Sequence, residues 1–263
     1  IASIYSLTTS VTTKADYNDH PRIMLTPERI TRAYNQHYLA DSYEWQQLIR
    51  GADRNSDMDA ARAQAFVYVI TGDTAYADSA IALLEEEMED PMTVGFNSVG
   101  GKFLNMACVY DWLYNYPGFT AELKQQMIDY VNAVPMNGSG RWNWYPDTVY
   151  MNGVGKPLQG TAVWGLATYG DNPDADVYID NGLDNRWAYI RNGMGYSQDN
   201  HAENRGGSQP RGMDYGSGFY AQVITYLDAL KTSTDVNLFD EAPVLKEYLE
   251  WFAKSYYYTE DFI

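Results

Sequence analysis

Cysteine, histidine and positive charge are scarce in this chain. One cysteine, Cys108, in 263 residues excludes an internal disulfide and any thiolate metal cluster. It lies in an apolar helical pattern (LNMACVYDWLY) and reads as a core thiol. The three histidines, His20, His37 and His201, are too scattered to form a transition-metal ligand set, so no metal and no cofactor is expected. Eighteen Lys and Arg against 35 Asp and Glu leave a net charge of −17, which argues against a nucleic-acid footprint and against docking on an anionic membrane. No apolar run approaches the roughly 18 residues of a membrane span. A phosphate loop, a dinucleotide fingerprint and a serine-nucleophile elbow are all missing.

What is present is helical periodicity, aromatic residues and three long polar interruptions. Hydrophobic residues make up 45% of the chain, enough for a substantial core. Tyr occurs 24 times beside 7 Trp, and such rings serve equally for packing and for lining carbohydrate clefts. Thr26-Pro27-Glu28 opens a helix in the preferred order of cap, Pro and acid. Apolar spacing predicts helices over 60–70 and 76–88, broken by Gly72-Asp73, and over 162–169 and beyond, broken by Gly170-Asp171. In each break Gly suits the left-handed C-terminal position and Asp suits the cap of the next helix. Further helices are expected at 103–116, 120–134, 214–231 and 242–255. Strand-like alternation is scarce. The expected fold is therefore all-α, with antiparallel helix pairs stacked as a solenoid or a closed α/α ring. Residues 1–19 read as an extended Ser/Thr-rich lead and 20–263 as one domain, expected to belong to a longer, processed, secreted or periplasmic protein.

The interruptions fall at 91–101, 135–160 and 193–212, too long and too rich in Gly, Asn and aromatics to be mere connectors. Residues 198–220 gather His201, Glu203, Arg205, Arg211, Asp214, Tyr215 and Tyr220 among five glycines. Such a loop delivers acid, base and cation to one place, or it is a solvated surface loop. Trp142, Asn143, Trp144 and Tyr145 supply aromatic faces for sugar rings, or a hydrophobic plug. His20 reads as a structural histidine holding the N-terminal segment, His37 as a helix-surface residue, and Asp111 and Trp112 as structural. The acidic stretch 171–184 suits calcium or an exposed helix start equally well.

Four segments carry a resemblance. His20-Pro21-Arg22-Ile23-Met24-Leu25-Thr26 resembles an "HPRLLLT" lead-in. Residues 65–77 follow A-x-x-Y-x-x-TGD-x-x-YA. Val109-Tyr110-Asp111-Trp112-Leu113-Tyr114 resembles a "YDWLY" helix, and Arg211-Gly212-Met213-Asp214-Tyr215 sits where "E-G-x-x-Y" is found. Together these resemble the α/α-toroid domain of the heparinase II/III-like and alginate-lyase-like polysaccharide lyases. The resemblance implies an incomplete toroid of antiparallel helix pairs whose long loops form a cleft. It also implies an acidic polysaccharide or oligosaccharide as substrate, cleaved by β-elimination.

On that resemblance Tyr215 is the base and acid, and His201 the second proton carrier. Asn152, Gln159, Arg205 and Arg211 are the neutralisers of the uronate carboxylate, and the aromatic loop and Tyr220 line the substrate. Two departures stand out: Asn152 is followed by Gly153 where the family has His, and Arg211 replaces the Glu. Two alternatives stay open. One is a glycoside hydrolase on an α/α barrel using Asp147, Glu203 or Asp214; the other is a non-catalytic carbohydrate-binding module.

Overall fold

The structure is a computed structural model that describes residues 19–37, 42–92, 98–134, 152–192, 212–242, 245–250 and 253. All regular structure among the described residues is helical. The elements are α1 (Pro27–His37), α2 (Tyr43–Asp53), α3 (Met58–Thr71), α4 (Thr74–Glu87), α5 (Val99–Trp112) and α6 (Ala121–Asn132). They continue with α7 (Asn152–Pro157), which runs through a π-helical turn (Leu158–Ala162) into α8 (Val163–Thr168), and then α9 (Ala175–Asp180), which leads into a second π segment (Asn181–Trp187). The long helix α10 (Gly212–Thr234) follows.

The first glycine–aspartate break behaves as the sequence implies. Gly72 takes φ 74°, its N–H bonds Tyr68 O, and the Asp73 carboxylate accepts from Ala75 N, so α3 ends and α4 begins within two residues. The second break differs. Gly170 is left-handed at φ 97°, but Asp174, not Asp171, stands at the N-cap of α9, with no side-chain cap bond. Asp171 instead accepts the Tyr110 hydroxyl at 3.1 Å.

Two expectations about boundaries are corrected. Gly100 and Gly101 lie inside α5, and residues 152–160, read as loop, are helical. Their glycines serve close approach: a Cβ on Gly100 would stand 2.7 Å from Lys156 O, and one on Gly160 would stand 2.8 Å from Gly100 O. Helix α2, capped by Ser42 on Trp45 N, was not anticipated. It packs on α3, where Gln64 Nε2 donates to Ala52 O.

Helix α5 is the spine. Residues 103–111 are buried without interruption, so the helix is covered all round, and Cys108 at 0% exposure is the expected core thiol. Burial drives the Cys108 thiol well above its ordinary pKa, which leaves it inert.

Contact pairs fix the direction of its neighbours. Asn105 donates to Asp59 and Trp112 meets Phe66 at 5.5 Å, so α3 and α5 run parallel in matched register. Gly100 against Lys156 and Tyr110 against Trp164, at 5.7 Å between rings, align α7–α8 with α5. Gly155 against Gln222 and Gln159 bonded to Thr225 align α10 with α7. Helices α3, α5, α7–α8 and α10 therefore form one layer of parallel neighbours in chain order, with α4 and α9 returning as antiparallel partners of α3 and α8.

Candidate functional site

Parallel order sorts the chain's connections by length. The amino ends of α5, α7 and α10, each preceded by a long interruption, share one end of the layer. The short turns at 72–73, 113–120 and 169–174 share the other. Asn152 opens α7, and Tyr215 lies in the first turn of α10. From the contacts of Gly155 with Gln222 and of Gln159 with Thr225, Asn152 is level with residue 218 or 219 of α10. Tyr215 is then only about one helical turn further along, at 1.5 Å per residue. Asn152 and Tyr215 thus belong to the same end of adjacent parallel helices. Both are located by their backbone, as is Asp214.

The remaining sequence candidates divide in two. Trp142, Asn143, Trp144, Tyr145, Asp147, His201, Glu203, Arg205 and Arg211 lie outside the described residues. Gln159 and Tyr220 are described in full. Gln159 Nε2 donates to Thr225 Oγ1 at 3.4 Å across the α7–α10 seam. Tyr220 is buried at 1% exposure and packs its ring on Tyr248 at 4.0 Å and on Phe219 at 5.6 Å. One turn past Asn152 on the same seam, Gln222 Oε1 is buried against Gly155 with no hydrogen-bond partner among the described residues.

A hollow of about 400 Å³ opens at this end between the start of α3, the end of α4 and the start of α5. Asp57, Glu86, Glu87, Glu89 and Asp90 surround Lys102, the single cation among the described lining residues, which pairs with Glu87 at 3.2 Å. The Tyr130 hydroxyl donates to Glu87 O, and burial and the Glu87 charge push its pKa up to about 12. Its acidity makes this hollow a poor seat for a uronate. Among the described residues no group of three or more His, Cys, Asp or Glu is arranged to hold a metal ion, and no helix is long and apolar enough to cross a membrane.

A dense polar constellation among the described residues sits at the opposite end. Asp111, at the end of α5 and 0% exposed, accepts Arg22 N at 2.9 Å, Ile23 N at 3.0 Å and His20 Nδ1 at 2.5 Å. Three donors on one carboxylate offset the cost of burying its charge. The imidazole of His20 stacks on Tyr114, ring centroids 3.7 Å apart, while Lys124 Nζ covers Tyr114 at 3.8 Å from its centroid. Arg22 Nη2 contacts His20 Nε2, and Arg22 Nη1 donates to Tyr169 O at 3.2 Å.

A hollow of about 500 Å³ lies beside these groups, rimmed by Asp19, Asn115 and Asp171. Burial, and then the Asp171 carboxylate, raise the pKa of Tyr110 far above its ordinary value. Tyr110 is therefore unsuited to act as a base. His20 and Asp111 hold the N-terminal segment here, as the sequence implies. The sequence reading missed the part of Asp171, because a Gly-Asp pair signals a cap more strongly than a tertiary acceptor.

No protein-family model matches this sequence, and no curated protein is significantly similar to it.

Proposed function

We propose that the chain is the α/α-toroid domain of a polysaccharide lyase that cleaves a uronic-acid-containing glycan by β-elimination. The base removes the C5 proton, the C4–oxygen bond breaks, and a C4–C5 double bond forms. The chemistry needs donors on the C5 carboxylate, to make that proton acidic, and a base beside it. Tyr215 is that base, and it returns the proton to the leaving oxygen. His201 is the second proton carrier, and Asn152 and Arg211 neutralise the carboxylate with help from Arg205 and Gln159. Trp142, Asn143, Trp144 and Tyr145 are the sugar-contacting residues in this reading, whereas Tyr220, at 1% exposure, is a packing residue of the core rather than part of the substrate lining.

The observation that carries the reading is the register of α7 against α10, which gives Asn152 and Tyr215 a common end. Parallel helices in chain order, linked by antiparallel returns, are the repeat from which an incomplete toroid is built. Contact of α1 with α3, together with the Arg29–Asp228 pair on α10, supports closure of that ring. In this reading the enzyme works secreted or in the periplasm, where such glycans are met.

Incubation with alginate, heparan, chondroitin, glucuronan and neutral glycans tests the proposal. The ultraviolet absorbance of an unsaturated uronate and the release of reducing ends are followed separately. Both rise together on one acidic glycan if the proposal is right. Reducing ends without absorbance identify a hydrolase, and binding without either identifies a carbohydrate-binding module.

A further inference from the structure

Residues 20–24 cross the carboxyl ends of three parallel helices. His20 and the amides of Arg22 and Ile23 meet Asp111 at the end of α5, and Trp112 Nε1 donates to Ile23 O at 3.1 Å. Arg22 reaches Tyr169 O just beyond α8. Met24 N donates to Thr232 Oγ1 on α10 at 2.7 Å. The segment is a strap, and its one titratable linchpin near neutral pH is His20.

The hydrogen bonds define the protonation state of that linchpin. A guanidinium can only donate, so His20 Nε2, which contacts Arg22, is the acceptor and carries no proton. The ring proton therefore sits on Nδ1, facing Asp111. Adding a proton to Nε2 would set two cationic donors against each other inside a site where the His20 side chain is 5% exposed.

The charged and titratable groups around the ring come from every neighbouring element. Asp111 and Tyr110 come from α5, Tyr114 from the turn after it, Arg22 from the strap, Asp19 from just ahead of the strap, Asp171 from the α8–α9 turn, and Lys124 of α6 from behind Tyr114. Burial outweighs the attraction of Asp111 and holds the His20 pKa below its ordinary value. We propose that the strap is an acid-released clasp: protonation of His20 at Nε2 breaks its contact with Arg22 and frees residues 20–24 from the ends of α5, α8 and α10.

The sign follows from linkage. The folded strap holds fewer protons on His20 than the released one, so its closure is complete above about pH 6.5 and is lost as pH falls below that value. Each pH unit multiplies the opening constant about tenfold while one proton is taken up.

Hydrogen exchange reads this directly, because the Arg22 and Ile23 amides are bonded to Asp111. The whole chain is exchanged across about pH 7.5 to 5.5, and rates are corrected for intrinsic exchange. Protection of the strap amides is expected to fall below about pH 6.5, by up to about tenfold per pH unit, while protection in α3 holds. Flat strap protection, or a fall matched by α3, overturns the clasp. In His20→Asn the strap should lose its pH dependence, and a retained dependence assigns the titration elsewhere and overturns it too. If that variant does not fold, the nitrogen resonances of His20 in the unaltered protein decide. A neutral ring protonated at Nδ1 near pH 7, titrating together with amide release, upholds the clasp, and an imidazolium at that pH refutes it.

Discussion

Arg29 of α1 and Asp228 of α10 meet in a two-pronged ion pair, Nη1 to Oδ2 at 2.6 Å and Nη2 to Oδ1 at 2.7 Å. The pair spans 199 residues of sequence, so it ties the first described helix to the last long one. Both side chains keep partial access to water, 36% and 23%, which limits the pair's worth to about 1 kcal/mol. Asp228→Asn preserves the shape and removes the charge. It is expected to lower the melting temperature by about 2–4 °C, an effect that shrinks in high salt; thermal unfolding at two ionic strengths checks both.

Asp111 carries a far larger share of stability than its surface counterparts. Its carboxylate serves three donors in a fully buried setting. Asp111→Asn offers one acceptor oxygen and turns an amide donor toward other donors. A loss of about 3 kcal/mol is expected in urea unfolding, with the strap amides losing protection first.

Glycines of the helical layer should respond to alanine with opposite signs. At Gly160 a Cβ would stand 2.8 Å from Gly100 O and 2.9 Å from Gly100 Cα, backbone atoms that cannot step aside. At Gly101 of α5 a Cβ meets nothing within 4 Å. Gly160→Ala is therefore expected to cost about 1–3 kcal/mol, and Gly101→Ala to gain about 0.5–1 kcal/mol from helix propensity alone. Chemical denaturation of the two variants side by side settles the sign of each.

If Tyr215 is the proton carrier of the proposed elimination, Tyr215→Phe should lower kcat by at least about 10²-fold with an unchanged fold by circular dichroism. Asn152→Ala should lower it by about 10²–10³-fold, the usual loss for one donor to a developing anion. Steady-state rates on the glycan found active in the panel measure both, and full activity in Tyr215→Phe removes the residue from the chemistry.

The helical class and the turn at Gly72-Asp73 were legible because local chemistry alone dictates them. The glycines and proline of 152–160 misled for a physical reason. In isolation they signal a loop, yet Gly155 and Gly160 are small so that α7 can approach Gln222 of α10 and Gly100 of α5. Nothing local marks such distant partners. Helix α2 escaped notice because its exposed, mixed face leaves only Ala52 buried. His20 and Asp111 were legible as structural residues. The common end of Asn152 and Tyr215 is expected only from the ring of helix pairs, whose long loops gather into a cleft; no local feature fixes it, since it depends on the register of two helices separated by more than fifty residues.

Parallel order in the α3, α5, α7–α8 and α10 layer has an electrostatic corollary. Within the layer the peptide dipoles point the same way, each amino end contributing the equivalent of about half a positive charge, and the antiparallel returns α4 and α9 offset part of the sum. At the end that receives the long interruptions, these amino ends stand beside the carboxylates of the acidic hollow, Asp57, Glu86, Glu87, Glu89 and Asp90, in a chain carrying −17 overall. An anion approaching there is drawn by backbone amides at the helix starts and repelled by the carboxylates of the hollow, so the two contributions oppose each other at one end of the layer.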